Sequence, residues 1–528
     1  MSNVVIVIVN KAGASSPFSD PYISLFGTCD GAAQNFNIAS DGTCTPLSVG
    51  NGGSTVVRLS SILGGALKLD SALGIDAGRI YFTSKELTVS KEGIDPTKAD
   101  YYYDWIEFSL NIGQHNQLVV NTTQVDQFGV PIALEVSPAD PNFGATVGIT
   151  LDRTTVIRKF QSQLPAAYQD CLLSVSPATT PPAYWRILSP NQAIINKPTS
   201  DLTTVFTQAI DDFFTHYSSN KLYLNSDLAY PYVGQVTTVS EKGIDGQIHD
   251  YPVLRFNFAT NGPINPGVPT TPSSGNGPYH LYYPFFTTNN PTGHPSFDGN
   301  ALLPPPHWWT ESVIAGNKKA HLNDEETPAQ MVFAGNGIFA DTFWQLGIKN
   351  TNAPTEQAKV LGNLENQVNV AFNRGHAQSW ITLTGNIAPS AENSPPYTSK
   401  VTLTGNYSDQ NQPNTTANLV VGMQVISFSL NMPMTIQSID SDTTLTVTAP
   451  KRILPLNPLY LTFANFYPDG GVWNAYAQFF HQNAISIEGR AYAISFDDQG
   501  GFSPTLTSNW SRTPSTLKVT IGAWEAGS

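Results

Sequence analysis

The chain has 528 residues, a net charge of −14, and charged side chains at only 12% of its positions. A chain of this length exceeds one ordinary hydrophobic core, so about two to four domains are expected. The acidic balance and the absence of a basic run exclude a phosphate-backbone ligand, so nucleic acid is not an expected partner. A neutral polymer remains compatible with this charge.

Glycine (41 residues), proline (39 residues) and aromatic residues (11%) are abundant, which favours short strands joined by turns over helices. Three cysteines, Cys29, Cys44 and Cys171, are too few for a disulfide framework, and one pair is the most that could form. We expect them to be small buried or half-buried residues. Because no Cys/His spacing suits a metal, we expect neither a metal nor a cofactor.

Residues 4–9 form an apolar run (VVIVIV) that predicts a buried strand. The run is far shorter than the roughly 20 residues that span a bilayer, so no membrane partner is expected. No positively charged segment or cleavage-site pattern marks it as an export signal. A removed signal, a location inside the cell and export by another route are the three alternatives.

Residues 1–155 alternate strand-like runs, such as 22–26 and 78–84, with turn residues at the spacing of a β-sandwich or barrel. From residue 156 the apolar spacing becomes helical. Helices are predicted in TTVIRKFQSQLPAAYQDCLL, in DLTTVFTQAIDDFFTHYSSN with Asp201 or Thr203 as its cap, and in NLENQVNVAFNRG with Gly375 as its C-cap.

These patterns predict a mainly β protein with three parts. A β-barrel or sandwich domain covers 1–155, and the strand in 515–526 returns to it. A mixed α/β domain covers 156–379 and 464–514, with a Pro/Gly-rich excursion over 258–306. A small β-sandwich-like module over 380–463, with strand-turn-strand alternation, is inserted into that domain.

The segment DWIEFSLNIGQHNQLVVNTTQVDQFGVP carries two strand-like runs with one acid in each, Glu107 and Asp126. If the runs pair through a two-residue turn at Asn116 and Gln117, Glu107 lies directly opposite Asp126. A bulge at Gly113 would shift this register. We expect the direct opposition.

Two carboxylates that face each other across a ladder repel, so their pairing needs a reason. One acid can keep its proton while the other stays ionised, which is the division of roles that glycosidic cleavage requires. Inverting enzymes hold the carboxyls about 6.5–9.5 Å apart and retaining enzymes about 5–5.5 Å apart. In the alternative interpretation, both are solvated strand carboxylates without mutual contact.

The same segment resembles the signature of the laminaripentaose-producing β-1,3-glucanases of glycoside hydrolase family 64, in which W-x-E-F-[ST]-x-N precedes V-N-x-[ST]-x-V-D-x-[FV]. The matching residues here are Trp105, Glu107, Phe108, Ser109, Asn111, Val120, Asn121, Thr123, Val125, Asp126 and Phe128. Four further stretches match in the same order: AGRIYFTS, VFAGNGIFA, VAFNRG and NAYAQFFHQNAISIEGRAYAISFDDQGG.

This resemblance implies a thaumatin-like β-barrel or sandwich domain that forms a wide groove with a mixed α/β domain. It implies an inverting endo-hydrolase of β-1,3-glucan (laminarin, curdlan or fungal wall glucan) that releases short oligosaccharides. Glu107 would be the general acid and Asp126 the general base. We expect a monomer whose partner is β-1,3-glucan polysaccharide and which is exported, as members of this family are.

Five further side chains are candidates for binding sugar hydroxyls: Ser109, Asn111, Thr123, Asp497 and Asp498. Ser109 and Asn111 alternate on the same strand face as Glu107, and the Asp497–Asp498 pair matches an acidic pair that lines the groove in the family. Their alternative interpretations are ordinary outward polar positions and a turn before Gly500.

Two other functions compete with hydrolysis. The first is a non-catalytic glucan-binding or antifungal protein on the thaumatin-like scaffold, which a displaced Asp126 with its carboxylate pointing away from the groove would favour. The second is a surface-adhesion protein in which the inserted module binds the ligand, which a large pocket on that module would favour.

Overall fold

The computed structural model describes residues 3–29, 31–47, 55–89, 93–140, 144–176, 183–225, 231–243, 245–259, 277–283, 327–334, 356–378, 381–392, 394, 396–404, 415–426, 434–449, 452–453, 455–497, 504–510 and 514–526. The chain divides into two compact units. The first comprises Met1–Ser200, Ala475–Asp498 and Phe502–Ser528, and the second comprises Asp201–Asn474 and Gln499–Gly501. The first unit therefore extends well beyond the boundary predicted at residue 156.

The strands, in chain order, are β1 Asn3–Asn10, β2 Tyr22–Cys29, β3 Ala32–Ile38, β4 Thr43–Pro46, β5 Val57–Arg58, β6 Ala66–Asp70, β7 Ile75–Thr83, β8 Tyr103–Leu110, β9 Gln117–Thr122, β10 Gln127–Phe128, β11 Ile132–Ser137, β12 Thr146–Gly148, β13 Leu172–Ser174, β14 Tyr184–Leu188, β15 Leu222–Asn225, β16 Pro231–Lys242, β17 Ile248–Phe258, β18 Tyr279–Tyr282, β19 Ile381–Ile387, β20 Tyr397–Leu403, β21 Gln424–Ile426, β22 Met434–Ser441, β23 Thr444–Ala449, β24 Leu456–Ala464, β25 Leu506–Asn509 and β26 Thr516–Ile521. The α-helices are α1 Arg153–Gln163, α2 Pro190–Asn196, α3 Thr207–Ser219, α4 Pro328–Ala334, α5 Glu356–Asn373 and α6 Ala475–Phe480. None of the helices within the described ranges is both long enough and apolar enough to cross a membrane.

A thirteen-stranded sheet forms the framework of the first unit, in the order β12-β11-β26-β1-β6-β4-β3-β2-β7-β8-β9-β25, with β5 beside β2. β26 lies parallel to β1, so the end of the chain completes a sheet that its beginning starts. The two ends of the sheet meet, because Asp140, just after β11, donates its N–H to the Thr507 carbonyl oxygen of β25 (2.9 Å). The mainly β class predicted from the sequence is confirmed, with barrel-like sheets.

Strand β8 shows why the sheet has two different faces. Side chains alternate along a strand, so Ile106, Phe108 and Leu110 enter the hydrophobic core and are at most 3% exposed. The other face of β8 carries Glu107 and Ser109, both half-buried. The apolar face anchors the strand and leaves the polar face available for chemistry.

The second unit contains a four-stranded sheet, β15-β16-β17-β18, together with the helices α3 to α5. Helix α5 ends at Asn373, and Gly375 adopts a φ of 75°, which confirms the predicted C-cap. The predicted caps of α3 were wrong: Asp201–Thr204 forms a separate 3-10 turn, and α3 starts at Thr207. Most of the excursion predicted over 258–306 lies outside the described residues.

The inserted module folds as a closed barrel in the order β19-β20-β23-β22-β21-β24. β19 pairs with both β20 and β24, so the circle of strands closes and the predicted sandwich-like arrangement is corrected to a barrel. The module has a hydrophobic core of its own, in which Val401, Leu445 and Val447 have no solvent exposure.

Replacing Val447 by alanine in this core should lower the free energy of unfolding of the barrel by about 2–3 kcal/mol, because it removes buried methyl groups and leaves a cavity. Val421→Ala is the matched control, since Val421 is 61% exposed in the same module. Denaturant unfolding of both variants measures the difference. Equal losses of stability would show that the barrel interior is not a packed core.

Candidate active site

The pairing of β8 with β9 differs from the predicted register. Glu107 lies opposite Asn121, and Ser109 lies opposite Val119. The predicted opposition of Glu107 and Asp126 is therefore wrong. The connection between β8 and β9 is longer than a two-residue turn. Residues with a positive φ, including Asn111 (φ 52°), reverse the direction of the chain. The Asn111 N–H donates to the Gln117 carbonyl oxygen (2.7 Å) and closes the loop.

Glu107 is held by an ion pair with the neighbouring strand. Arg79 of β7 is its cross-strand partner, and the Arg79 Nε lies 3.2 Å from the Glu107 Oε1. The indole Nε1 of Trp105 lies 3.4 Å from the same oxygen, and the guanidinium Nη1 of Arg79 lies 3.4 Å from the Tyr81 hydroxyl. About one third of the Glu107 side chain (33%) is exposed, so the carboxylate stays accessible.

Asp126 lies beyond the end of β9 and is only partly exposed. Its Oδ1 accepts a hydrogen bond from the Gln192 amide (3.3 Å), and its carbonyl oxygen accepts one from the Ser189 N–H (2.9 Å). Burial raises the pKa of Asp126, while the Gln192 hydrogen bond and the charge of Arg79 act in the opposite direction. The charge of Arg79, the ion-pair partner of Glu107, therefore favours the ionised form of Asp126.

A buried carboxylate fixes the segment that carries Asp126. Asp104 is 1% exposed; its Oδ2 accepts from the N–H groups of Gly129 (2.8 Å) and Val130 (3.0 Å), and its Oδ1 accepts from Trp105 (2.9 Å). Burial raises the pKa of Asp104 to about 7, against these three hydrogen bonds and the charge of Arg186, which lower it. Asp104 thereby ties the chain after Asp126 to the strand that carries Glu107.

Two buried arginines complete this attachment. Arg186 donates to the Gln127 Oε1 (3.1 Å), and Gln127 in turn donates to the Tyr103 carbonyl oxygen (3.1 Å). Arg153 donates from Nε to the Gly129 carbonyl oxygen (2.7 Å). Sequence reasoning missed these residues, although an acid next to WIEF in an apolar strand was a signal of a buried, hydrogen-bonded carboxylate.

The other predicted sugar-binding residues separate into two groups. Ser109 lies on the Glu107 face, where its hydroxyl is 3.4 Å from the Asp76 Oδ1. Asn111 does not project beside Glu107: it is 8% exposed, and its Oδ1 accepts from the Asn116 N–H (3.0 Å), so we correct it to a loop-closing residue. Thr123 is also buried (4% exposed), and its hydroxyl accepts from the Val125 N–H (3.3 Å).

The prediction that Asp497 binds a sugar hydroxyl is corrected as well. Its side chain has no exposure, and its Oδ2 accepts from the N–H groups of Ala493 (2.6 Å) and Ile494 (2.9 Å) and lies 3.1 Å from the His481 Nε2. These contacts make Asp497 an interior residue that organises its own turn. Asp498 lies outside the described residues.

Asn121 is a further polar residue of the site. It belongs to the V-N-x-[ST] motif, but the sequence did not predict a role for it. It lies directly opposite Glu107, and its side-chain Oδ1 has no hydrogen-bond partner among the described residues. A buried acceptor without a donor is costly unless a ligand or water completes it. Asn121 is therefore suited to accept a hydrogen bond from a hydroxyl bound beside Glu107.

No group of three or more His, Cys, Asp or Glu side chains in the described part of the chain could hold a metal ion. Cys29, Cys44 and Cys171 are free thiols in buried positions, as predicted. The chemistry that Glu107 and Asp126 could supply is proton donation by one carboxyl and proton acceptance by the other.

Gly129→Ala should displace the segment after Asp126, because an added Cβ would lie 2.1 Å from the Tyr103 carbonyl oxygen. We expect a loss of about 1–3 kcal/mol in the free energy of unfolding, as for other overpacked sites, measured by chemical denaturation. The matched control is Gly74→Ala, whose Cβ would meet nothing within 4 Å. Equal stability of the two variants would contradict the tight attachment of this segment.

Comparison with known proteins gives one family. Residues 3–243 match the family model described as β-1,3-glucanase, glycoside hydrolase family 64. A β-1,3-glucanase domain from Clostridium beijerinckii is 16% identical with a TM-score of 0.53, and the alignment covers 99% of this chain and 98% of that one. A laminaripentaose-producing β-1,3-glucanase solved in complex with laminaritetraose is 15% identical with a TM-score of 0.50, covering 99% of this chain and 100% of that one. At these identities the structures show a shared fold. No curated protein matches this chain.

Proposed function

The chain belongs, through residues 3–243, to the β-1,3-glucanases of glycoside hydrolase family 64, and we propose that it cleaves β-1,3-glucan internally with Glu107 and Asp126 as its two carboxyls. The observation that carries this proposal is the match of residues 3–243, which contain both acids, to the β-1,3-glucanase family model. The accessible Glu107 carboxylate on the polar face of β8 supports it. As a member of this family the chain is a glycoside hydrolase. Laminarin, curdlan and fungal wall glucan are its proposed substrates, and we propose that it acts outside the cell.

The proposed reaction inverts the anomeric carbon in one displacement. The Glu107 carboxyl donates its proton to the glycosidic oxygen as the bond from that oxygen to the anomeric carbon breaks. A water oxygen bonds to the same carbon from the opposite face, and the Asp126 carboxylate takes the proton which that water loses. Glu107 ends as a carboxylate and Asp126 as a carboxylic acid, and exchange with solvent restores both.

The register of β8 and β9 supports an inverting reaction over a retaining one. Asn121 occupies the position directly opposite Glu107, where Cβ atoms are about 4.5–5.5 Å apart. Asp126 lies beyond the end of β9 and is not the cross-strand partner of Glu107. An inverting pair needs room for a water molecule between its acid and its base, and a base outside the directly opposed position is compatible with that requirement.

Neutral polar groups beside Glu107 supply plausible contacts to a sugar. Asn121 offers an unsatisfied acceptor, and Ser109 offers a hydroxyl on the same face. Sugar hydroxyls both donate and accept hydrogen bonds, so these two side chains complement them. Trp105 is 5% exposed and stacks on Tyr103, so it supports the strand and does not provide an open platform for a sugar ring.

Glu107→Gln and Asp126→Asn should each lower the release of reducing ends from curdlan by about 10²–10⁴-fold, because each removes one proton-transfer group. Each substitution keeps the size of the side chain, so circular dichroism and thermal unfolding should show a folded protein. The matched control is Glu135→Gln, which removes a carboxylate from the exposed Lys518 ion pair of the same unit and should keep wild-type activity.

The outcomes separate hydrolysis from binding. Wild-type release by a folded Glu107→Gln or Asp126→Asn variant would remove that residue from the mechanism. A wild-type protein that sediments with curdlan and releases no reducing ends would instead be a glucan-binding protein. The lengths of the products from laminarin would show whether cleavage is internal.

A further inference from the structure

A cleft with a volume of about 440 Å³ lies in the second unit, where the inserted barrel joins the rest of that unit. Its walls come from three segments: the exposed side of α3, the residues that follow α5, and the loop that follows β24. We propose that this cleft is a carbohydrate-binding site, in addition to the site around Glu107, and that its ligand is a short stretch of a neutral sugar chain. The sugar class follows from the cleft, and the identity of that sugar as β-1,3-glucan rests on the proposed function.

One wall of the cleft is polar. Gln208 and Asp212 are exposed and stand one turn apart on α3, and the Gln208 Nε2 donates to the Asp212 Oδ1 (2.8 Å). Gln378 lies beside them, because its Nε2 donates to the Ala209 carbonyl oxygen (3.0 Å). Carboxamides both donate and accept hydrogen bonds, and a carboxylate accepts several. This wall can therefore bond both the hydrogens and the oxygens of sugar hydroxyls.

A second wall of the cleft is apolar. Val472 is 39% exposed and Pro468 is half-buried, and both line the cleft from the loop after β24. A sugar ring presents hydroxyls at its edge and C–H groups on its faces. Small-ligand sites combine an apolar lining with a few polar groups that fix orientation, in volumes of about 300–1,000 Å³. The cleft therefore matches a ligand that has both kinds of surface.

The loop that carries the apolar wall is attached on two sides. The Phe466 ring stacks on His376, with 5.2 Å between the ring centres, and the Phe466 N–H donates to the Gln424 Oε1 of β21 (3.0 Å). Beyond the end of α5, Gly375 has a φ of 75°, and a Cβ there would lie 3.1 Å from the Val472 carbonyl oxygen. Because the loop is fixed both to the barrel and to the end of α5, little ordering entropy opposes the binding of a ligand.

The charges of the cleft narrow the class of ligand. Asp212 and Asp469 line it, and none of the described lining residues is a lysine, arginine or histidine. A phosphate or carboxylate ligand would therefore be repelled. A metal ion is the alternative, but the described ranges contain no group of three or more His, Cys, Asp or Glu side chains that could hold one. A neutral polyol is the ligand class that these groups suit best.

Isothermal titration with a soluble laminari-oligosaccharide tests this proposal, in the Glu107→Gln protein so that hydrolysis is slow. We expect two sites per chain. The added double substitution Gln208→Ala/Asp212→Ala should weaken one of them about tenfold or more, because it removes two hydrogen-bonding groups. Alanine is the best helix former, so α3 should stay folded. Val472→Asp should weaken the same site, because sugar binding would then bury an unpaired charge.

Two control variants in the same protein match these substitutions. Thr215→Ala/Ser218→Ala is the control on α3, because these hydroxyls donate to carbonyl oxygens of the helix itself (2.8 and 2.7 Å) and do not line the cleft. Val421→Asp is the control for the added charge, because Val421 is exposed in the inserted module. Both controls should bind like the parent protein. Titration with CaCl₂ checks the alternative ligand, and we expect no uptake of Ca²⁺.

Each outcome decides between the proposals. A single oligosaccharide site that the cleft variants leave unchanged would overturn this inference and leave the proposed function intact. Ca²⁺ binding that the double variant abolishes, with oligosaccharide binding unchanged, would overturn it in favour of a metal site. A single oligosaccharide site that the cleft variants abolish would support the inference and contradict glucan binding at Glu107. A protein that binds no oligosaccharide would overturn both proposals.

Discussion

Three backbone N–H groups donate to the buried carboxylate of Asp104, and the geometry of the site depends on this interaction. One donor, Trp105, stands two positions before Glu107, and the other two, Gly129 and Val130, follow shortly after Asp126. A single fixed acceptor therefore sets the position of both acids. If one of these buried N–H groups lost its bond to Asp104, the protein would lose about 1–3 kcal/mol of stability. This cost strongly constrains the path of the chain.

Two buried arginines near Asp104 strengthen this constraint through hydrogen bonds to uncharged groups. Arg153 and Arg186 are buried, and their donors go largely to backbone carbonyl oxygens and to Gln127 instead of carboxylates. Buried charges need such hydrogen bonds, because desolvation is expensive. Within the described ranges, the hydrogen bonds of Arg153 and Arg186 go to neither Glu107 nor Asp126. Chemistry at the surface of the sheet is thus separated from the polar network that supports it.

The alternation of apolar residues made much of the fold predictable. This alternation predicts strand β8 directly. Gly375 predicts the end of α5, because a left-handed C-cap favours glycine. The module was predicted as a β insertion, but its closure was not. Closure depends on the pairing of β19 with β24, which are distant in sequence and joined by no local signal.

The candidate site was predictable in its residue types and not in its geometry. Asn111 and Gly113 tolerate left-handed backbone angles, and this property allowed a longer loop that displaced the register. Asp497 precedes a glycine-rich stretch of sequence, a pattern that also fits an exposed acid, so its burial beside His481 could not be predicted from the sequence. Arg79 became relevant only through its cross-strand partner, which depends on register.

A crystal structure of the folded Glu107→Gln protein with a bound laminari-oligosaccharide would test the central claim, that Glu107 and Asp126 act on one glycosidic bond. We predict a glycosidic oxygen within hydrogen-bonding reach of the side chain at position 107, about 2.6–3.2 Å, and a water between the anomeric carbon and the Asp126 carboxylate. An oligosaccharide bound with neither side chain near a glycosidic bond would contradict it.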